Sequence, residues 1–139
     1  MRQHQSEIAV ETRGQRLHEM TEEVAAAVQE AGISTGLVTL FCRHTSCSLL
    51  INENADPDVR HDLEVFMKRL VPDGDPAFIH TLEGPDDMAA HIKTALTATS
   101  LSIPVAGGAM VLGTWQGIYL FEHRTVPHRR RIVAHIAGT

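Results

Sequence analysis

Apolar and polar residues alternate along several short stretches of the chain, and along other stretches the apolar residues recur at spacings of three and four. Alternation is typical of half-buried strands, whereas the wider spacing is typical of amphipathic helices. The alternating stretches predict six strands: His4–Thr12, Cys47–Asn52, Leu101–Val105, Ala109–Leu112, Gln116–His123 and Arg130–Ala137. The continuous apolar stretch Leu37–Cys42 predicts a seventh. The wider spacing predicts helices over Gln15–Ala31, over Pro57–Val71, and from about Glu83 to about Thr97.

Each predicted helix carries an apolar stripe that we expect to face the core. The stripes are Leu17, Met20, Val24, Val28 and Ala31 in the first helix, Val59, Leu63, Phe66, Met67 and Leu70 in the second, and Met88, Ile92, Ala95 and Leu96 in the third. Asp56 and Pro57 have the residue types that favour the N-cap and the first position of a helix. Between the second and third helices, Phe78–Leu82 is expected to be a short extended segment.

The distribution of these elements predicts an α+β fold. Seven strands and two to three helices do not alternate regularly, and strands predominate in the last third of the chain, which favours antiparallel or mixed sheets over βαβ units. Leu37–Cys42 is apolar on both faces and is expected to be a central strand. Gly107-Gly108 between two strands indicates a hairpin. The length of 139 residues suits one domain over 1–139.

Composition narrows the class of protein. Apolar residues make up 43% of the chain and charged residues 21%, which is ordinary for a globular domain. The formal net charge of −5 argues against a general nucleic-acid binder. No apolar run approaches the roughly 20 residues of a membrane span. Met1–Ser6 lacks the apolar core of a signal peptide, so we expect a cytoplasmic protein with Cys42 and Cys47 reduced.

A polar run, His44–Asp56, separates the predicted central strand from the helix that begins at Pro57. Polar side chains are costly in a core and natural in a pocket. The run ends at a predicted helix N-terminus, where free backbone N–H groups favour anions. We therefore expect a site here. Its polar candidates, besides His44, are Thr45, Asn52, Glu53, Asn54 and Asp56.

Three of the nine histidines belong to three different elements: His44 to a strand end, His80 to an extended segment and His91 to a helix edge. Three imidazoles can form an open metal site with a fourth position for water or substrate. Their separations of 36 and 11 residues match no compact zinc motif, so hydrogen-bonded or exposed histidines remain the alternative. The same structural interpretation is preferred for His4, His18, His61, His128 and His135, whereas His123 stays open because it ends a strand between Glu122 and Arg124.

Cysteine, tryptophan and serine residues each have a structural and a functional interpretation. Cys42 and Cys47 resemble zinc ligands, but both lie in apolar alternation and we favour buried thiols. The glycines around the only tryptophan, Trp115, fit either a bend between strands or a turn that faces a ligand. A Ser-His-Asp triad on Ser46 or Ser48 lacks a nucleophile-elbow signature.

Four arginines near the C-terminus form a basic cluster: Arg124, Arg129, Arg130 and Arg131. A solvated surface is the ordinary interpretation. The alternative is a phosphate clamp, because guanidinium groups match phosphate oxygens. Strand alternation lets Arg129 and Arg131 share one face while Arg130 points away. We therefore expect Arg124 and one of that pair to lie near the histidines, either within one chain or across a subunit boundary.

Five stretches together resemble a known family: His44–Leu49, Asn52–Arg60, Glu83–Met88, His91–Lys93 and Gly113–Tyr119. The runs Asn-Glu-Asn-Ala-Asp-Pro and Gly-Thr-Trp-Gln within them are the most specific. On these residues the chain is similar, over nearly its whole length, to the YjbQ-like family, which is often labelled secondary thiamine-phosphate synthase. Cys47 departs from the pattern, because the family more often has alanine there.

The resemblance implies a sandwich of two β-sheets with flanking helices, assembled as a homotrimer. It also implies a divalent metal ion, zinc or alternatively magnesium, held by His44, His80 and His91. The implied reaction is transfer of a pyrimidine-methyl group from its diphosphate to a thiazole phosphate, which requires stabilisation of charge on the leaving group. We assign catalytic or orienting roles to Glu53, Asn54, Asp56 and Glu122, and substrate binding to Thr45, Asn52, Trp115, Gln116, Arg124, Arg129 and Arg131.

Two rival functions remain. Transferases of this chemistry use magnesium held by carboxylates, whereas three imidazoles suit zinc, so zinc-assisted hydrolysis of a small, phosphorylated metabolite is the rival enzyme. The other rival is a trimeric metal-binding or metabolite-binding module without turnover. In each case the expected partner is a small molecule rather than a nucleic acid or a membrane.

Overall fold

A computed structural model describes residues 1–139 as eight strands and three helices. Their order is β1 (Arg2–Glu11), β2 (Leu17–Glu19), α1 (Thr21–Ala31), β3 (Gly36–Cys42), β4 (Cys47–Glu53), α2 (Pro57–Leu70), α3 (Asp87–Leu96), β5 (Ser100–Ala106), β6 (Ala109–Met110), β7 (Gln116–Glu122) and β8 (Arg129–Gly138). None of the three helices combines the length and the apolar character that crossing a membrane requires.

The strands form two antiparallel sheets. The larger sheet has the order β1-β8-β3-β5-β6, and the smaller sheet has the order β2-β7-β4. In the larger sheet β3 pairs with β8 on one side and β5 on the other, which confirms the predicted central strand. The predicted α+β fold with two sheets and flanking helices is confirmed. One more short strand is present than the pattern indicated, because β2 was not predicted.

The core lies between the two sheets. Val38 and Leu40 of β3 and Ile132 of β8 face Leu49 of β4 and Leu120 of β7, and all five side chains are fully buried. Strand alternation explains this arrangement, because every second side chain of each strand points into the same layer. The shared apolar core makes the two sheets a sandwich.

The first predicted helix was wrong over its first six residues. Leu17–Glu19 is a strand that pairs with β7, and α1 begins only at Thr21. Leu17 is nonetheless buried, but in a small cluster with Tyr119 and Phe121 rather than in the core between the sheets. The remaining stripe is correct, because Val24, Val28 and Ala31 are buried. Gly32 ends the helix in the left-handed conformation, as glycine readily does.

Helix α2 confirms its predicted start but not its predicted burial. The Asp56 carboxylate accepts a hydrogen bond from the Asp58 backbone N–H at 2.8 Å, so Asp56 is the N-cap. No residue of α2 is buried, and Phe66 is 59% exposed. Leu63 and Met67 contact only a three-residue cluster on the outer face of the smaller sheet, Leu17, Tyr119 and Phe121. The small area of that cluster leaves the rest of the stripe uncovered.

Helix α3 buries a different face from the one predicted. Its buried residues are Asp87, Ala89, Ala90 and Lys93, whereas the predicted stripe is partly or largely exposed: Met88, Ile92, Ala95 and Leu96. The alanines allow close packing, and the helix lies against β4. Polar groups of α3 therefore face inward, toward the neighbouring loops.

Two loop predictions have opposite outcomes. Gly107 and Gly108 have φ values of 59° and 78° and form the turn between β5 and β6, which confirms the hairpin. The second strand of that hairpin is only Ala109–Met110, shorter than predicted. Phe78–Leu82 forms no strand and belongs to the irregular segment between α2 and α3, with Ile79 and Leu82 exposed. Apolar content alone does not supply a pairing partner there.

Candidate functional site

Four potential metal ligands converge where α3 begins. The ligand atoms of His80, Glu83, Asp87 and His91 all lie within 4.8 Å of one another. His80 Nε2 lies 2.7 Å and His91 Nε2 lies 2.9 Å from the same atom, Asp87 Oδ2, and His80 Nε2 lies 3.6 Å from Glu83 Oε2. We call these four residues the His80–His91 cluster.

The cluster combines one helical turn with the loop that precedes it. Asp87 and His91 are four residues apart on α3, so they lie on the same face of that helix. His80 comes from the irregular segment, and its ring centroid lies 5.5 Å from that of His91. Asp87 is buried, whereas His80 and Glu83 are exposed, so the cluster has a closed carboxylate floor and an open outer side.

The tautomer of His91 follows from a backbone contact. His91 Nδ1 lies 2.8 Å from the Thr45 carbonyl oxygen, which can only accept a hydrogen bond, so Nδ1 carries the proton. In neutral His91 the Nε2 lone pair therefore points at the carboxylate of Asp87. Two lone pairs at 2.9 Å repel each other unless a proton or a metal cation neutralises the contact. A backbone carbonyl that fixes the tautomer in this way is typical of metal-binding histidines.

The Asp87 carboxylate is held in its ionised form. Burial raises its pKa, but the hydrogen bond to His80 and the charges of His91 and Arg124 outweigh burial and lower the pKa to about 2. Arg124 Nη1 donates to Asp87 Oδ1 at 2.7 Å, which leaves Oδ2 for the histidines. A permanent negative charge therefore lies beneath the two imidazoles.

Arg124 organises the loop around this carboxylate. Its Nε donates to Asp86 Oδ2 at 3.0 Å, and its Nη2 donates to the Glu83 carbonyl at 2.9 Å. Burial raises the pKa of Asp86, and the hydrogen bonds from Arg124 and from the Thr125 backbone N–H lower it further than burial raises it. The structure thus brings Arg124 to the histidines, as expected, but with its guanidinium committed to carboxylates. Its role in phosphate binding stays a prediction.

His44 does not join the cluster. Its Nε2 accepts a hydrogen bond from the Arg131 backbone N–H at 2.8 Å, on the strand side of the loop. Burial and the nearby charge of Arg130 lower its pKa, in line with a neutral acceptor. The neighbouring Thr45 contributes its carbonyl to His91. Within one chain the ligands that accompany His80 and His91 are therefore carboxylates rather than a third imidazole.

Glu122 lies in a closed network inside the sandwich. Its fully buried carboxylate accepts from Thr12 Oγ1 at 2.7 Å, from Arg130 Nε at 2.7 Å and Arg130 Nη2, and from the backbone N–H groups of His123 and Arg124. These bonds outweigh the effect of burial and lower its pKa. Its oxygens are saturated by the protein, so the geometry explains Glu122 as an anchor of β7 and β8, and its catalytic role stays a prediction.

The other predicted site residues lie at the far end of the smaller sheet. Cys47 pairs with Glu122, and Glu53 pairs with Gln116 six residues further along β4. At the ordinary rise of a strand this places the two ends about 20 Å apart. At this far end are Asn52, Glu53, Asn54, Asp56, Trp115 and Gln116. One chain therefore does not bring them to the histidines.

Local hydrogen bonds occupy most polar groups at this far end. Asn52 Oδ1 accepts from the Glu53 backbone N–H at 2.7 Å, and Asn54 Nδ2 donates to Glu19 Oε2 at 3.2 Å. Gln116 Oε1 accepts from the Gly113 backbone N–H at 2.7 Å. Trp115 is largely exposed, which fits a bend between strands with an apolar ring turned outward. The roles of Asn52, Trp115 and Gln116 in substrate binding, and of Asn54 in catalysis, stay predictions.

The remaining arginines of the basic cluster also meet carboxylates. Arg129 Nη1 donates to Glu11 at 2.9 Å and Arg131 Nη1 donates to Glu7 at 3.2 Å, both on the exposed surface. Alternation along β8 places these two on one face and Arg130 on the other, as predicted, and Arg130 is also buried. Within one chain both guanidinium groups are therefore paired with carboxylates of β1, and the phosphate-binding roles of Arg129 and Arg131 stay predictions. Exposed pairs of this kind contribute little to stability.

Sequence reasoning missed Asp87 and Lys93, and it did not identify His123 as the partner of Ser48. Asp87 precedes His91 by four residues, a spacing that places both on one helix face and was available as a signal. Ser48 Oγ lies 2.8 Å from His123 Nε2 in a fully buried pair, and no sequence pattern indicated that contact. Lys93 is buried with a lowered pKa because burial disfavours its charge. Cys42 and Cys47 are buried free thiols with their sulfur atoms 3.5 Å apart, as expected.

Comparison with known proteins gives a consistent family. The chain is 50% identical to UPF0047 protein sll1880 of Synechocystis sp. over 99% of its own length and 93% of that protein, and 42% identical to UPF0047 protein YjbQ of Escherichia coli O157:H7 over 97% and 98%. A YjbQ-like protein of unknown function from Sulfolobus solfataricus P2 superposes with a TM-score of 0.89 at 26% identity over 99% and 98% of the two chains. The model of the UPF0047 protein YjbQ-like family matches residues 6–139, so the chain belongs to that family.

Proposed function

We propose that the protein is a divalent-metal enzyme that acts on small phosphorylated metabolites, with a zinc ion held by His80, Asp87 and His91. One observation carries the proposal: two imidazole Nε2 atoms converge on one carboxylate oxygen, at 2.7 and 2.9 Å. The Thr45 carbonyl holds the proton of His91 on Nδ1, so Nε2 is available as a ligand. A cation at this point would remove the repulsion between the lone pairs.

The donor set supports zinc over magnesium. Zinc accepts imidazole nitrogen and carboxylate oxygen in four-coordinate sites, whereas magnesium prefers oxygen ligands alone. Glu83 lies at the exposed side of the cluster and offers a fourth ligand or a general base beside an open position. This interpretation replaces His44 with Asp87 in the ligand set that the sequence predicted.

In this proposal some residues bind and orient the metal ligands, and another accepts a proton. A bound zinc ion supplies Lewis-acid catalysis and lowers the pKa of a coordinated water. Arg124 keeps Asp87 ionised and fixes the orientation of its Oδ2. Glu83, on the open side and 3.6 Å from His80 Nε2, is placed to accept a proton.

Hydrolysis of a phosphate ester is the reaction that this cluster supports best. Transfer from a diphosphate, as implied by the thiamine-phosphate synthase label, calls for a magnesium ion held by several carboxylates and for free arginines at the leaving group. Two of the four cluster residues are histidines, and Arg124 is engaged by Asp86 and Asp87. The transferase is therefore the second candidate.

Metal analysis and turnover assays test the proposal together. Purified protein should contain about one zinc ion per chain, and His80→Ala, Asp87→Ala and His91→Ala should each lose most of it. His61→Ala is the control, because His61 is exposed and contacts only its neighbour Asp62. Protein without stoichiometric metal, or equal metal content in all variants, would refute the site.

Turnover then decides among the functions. A panel of small phosphate monoesters, together with a pyrimidine-methyl diphosphate and a thiazole phosphate, should show zinc-dependent release of inorganic phosphate from a monoester. Coupling of the last two compounds would select the transferase instead. Stoichiometric metal with no turnover of any compound would select the non-catalytic metal-binding module.

We also propose that the chain forms a homotrimer. The outer face of the larger sheet carries apolar residues at its centre, where Leu37 is 42% exposed and Phe41 is 50% exposed. An exposed apolar patch on a central strand is typical of a protein interface. The trimer itself rests on the family resemblance. Sedimentation at micromolar concentration should give about three times 15.3 kDa, and a monomer would refute the proposal.

A further inference from the structure

A separate cavity of about 440 Å³ lies between the turn that precedes β2 and one face of α2. Four cationic residues line it, Arg13, Arg16, Arg60 and Lys68, and the only acidic residue in its wall is Glu64. The chain as a whole has a formal net charge of −5, so this concentration of positive charge is local and unusual for the molecule. The remaining wall residues are uncharged: Gly14, Gln15, Leu17 and Thr125.

One face of α2 forms one side of the cavity. Arg60, Glu64 and Lys68 are spaced by four residues, so they lie along one face of α2. Glu64 Oε2 accepts a hydrogen bond from the Leu17 backbone N–H at 2.8 Å. This hydrogen bond links β2 to the helix. It also partly compensates the negative charge of Glu64, the only acidic residue in the cavity wall.

The cations are incompletely neutralised by the protein. Arg60 stacks on Tyr119, with its guanidinium carbon 5.2 Å from the ring centroid, and its buried Nε has no hydrogen-bond partner. The nearest carboxylate oxygen to Arg60, on Glu19, is 3.9 Å away. The ion pairs of the chain engage other arginines and leave the side chains of Arg13, Arg16 and Lys68 without carboxylates.

We infer that this cavity binds the phosphate or diphosphate group of a small metabolite. Guanidinium groups form paired hydrogen bonds with phosphate oxygens, and three arginines with a lysine match the charge of a diphosphate. A volume of about 440 Å³ lies in the range of small-molecule sites. Arg60 is already oriented by Tyr119, so little side-chain freedom is lost when the anion binds.

Thr125 connects the cavity with the His80–His91 cluster. It lines the cavity, and its backbone N–H and Oγ1 donate to Asp86 Oδ2 at 2.9 and 3.2 Å. Asp86 is the residue next to Asp87, the floor of the cluster. That the bound metabolite is the substrate of the cluster rests on the proposed function, whereas binding of the anion in the cavity does not.

Calorimetric titration with pyrophosphate and with inorganic phosphate tests the inference on metal-free protein. Lys68→Gln and Arg69→Gln are matched variants, because they remove one positive charge from adjacent positions of α2 and only Lys68 lines the cavity. Charge-assisted contacts of this kind predict a loss of roughly tenfold to a hundredfold in pyrophosphate affinity for Arg60→Gln and Lys68→Gln. Arg69→Gln should change affinity less than about twofold.

Two further variants separate the cavity from the metal cluster. Arg16→Gln alters an exposed side chain and carries little risk for folding, so its loss of affinity would support the site even if Arg60→Gln unfolds. His80→Ala should bind pyrophosphate as wild type does, whatever the outcome of the metal analysis. Equal weakening by Lys68→Gln and Arg69→Gln, loss of binding in His80→Ala, or no binding by wild type at millimolar pyrophosphate would each overturn the inference.

Discussion

The protein should become less stable as pH falls from 7 to 5, because His123 binds a proton in the unfolded chain but not in the folded protein. The ring is fully buried, its Nε2 lies 2.8 Å from Ser48 Oγ, and its Nδ1 has no hydrogen-bond partner. Burial is the largest influence on its pKa and, with the nearby charge of Lys93, lowers it to about 3 despite the opposing charge of Glu122. The folded protein therefore keeps His123 neutral at pH values where a free histidine is charged.

The magnitude follows from proton linkage. In the unfolded chain the pKa returns to its ordinary value of 6.5, so below that pH the unfolded state binds a proton that the folded state excludes. The full contribution of neutral His123 is present above pH 6.5 and is lost progressively as pH falls toward 3. Each pH unit in this window corresponds to about 1.4 kcal/mol, so the free energy of unfolding should fall by about 2 kcal/mol between pH 7 and pH 5.

Urea denaturation of wild type and His123→Gln, at one fixed protein concentration and without metal, measures this contribution. The glutamine amide can still reach Ser48 but does not titrate, and the other histidines contribute equally to both proteins. Wild type should therefore lose about 2 kcal/mol more than the variant between pH 7 and pH 5. Parallel pH profiles would refute the argument, as would an NMR titration that assigns His123 a pKa above 5.

Three further substitutions, one of them with a matched control, test the buried ion pair, the backbone packing of β3 and the assembly. Glu122→Gln should cost about 3–5 kcal/mol in urea denaturation, because it leaves a buried guanidinium uncompensated, whereas Glu11→Gln in an exposed ion pair should cost less than about 1 kcal/mol. Gly36→Ala should cost about 1–3 kcal/mol or more in the same assay, because its Cβ would lie 2.1 Å from the Ala137 carbonyl oxygen. Phe41→Glu should shift sedimentation of the oligomer toward the 15.3 kDa monomer, and an unchanged profile would place the interface elsewhere.

The strands were predictable because both sheets are half-buried layers. Alternation of apolar and polar residues in β4 and β8 indicates which side chains enter the shared core, and the structure buries Leu49 and Ile136 accordingly. The apolar sequence of β3 identified a central strand but not which of its faces is buried. Only β2 was not predicted, because in a segment of three residues strand alternation cannot be distinguished from helical spacing. Its position depends on pairing with β7 and on the bond from the Leu17 N–H to Glu64, which are contacts distant in sequence.

The helix faces were harder to predict, because the partner surface decides which face is buried. The apolar stripe of α2 meets only a small cluster around Tyr119, so Phe66 stays exposed in the single chain. In α3 the close approach to β4 selects the small side chains Ala89 and Ala90. Apolar periodicity indicates which face of a helix could be buried, but it does not show whether a neighbouring element covers that face.

Two members of the candidate site were predicted from the sequence, and a third was not, because its position depends on the local backbone. His80 and His91 were proposed from their residue type and from the family resemblance, and the structure places their ring centroids 5.5 Å apart. His44 shares their residue type, but its strand directs Nε2 toward the Arg131 N–H. Asp87 replaces it beside the other two imidazoles, because α3 turns its polar face inward. Residue type identified the candidate ligands, and the local backbone direction determines which of them lie close together.

The end of β7 shows how three consecutive polar residues acquire three different roles. Alternation sends Glu122 into the sandwich, where Arg130 and Thr12 saturate it, and sends His123 to the opposite side beside Ser48. Arg124, just past the strand, reaches Asp87 of the cluster. Because Glu122 also accepts the Arg124 backbone N–H at 3.1 Å, the buried ion pair fixes the point from which Arg124 extends. The core network therefore positions the candidate metal site without contacting it.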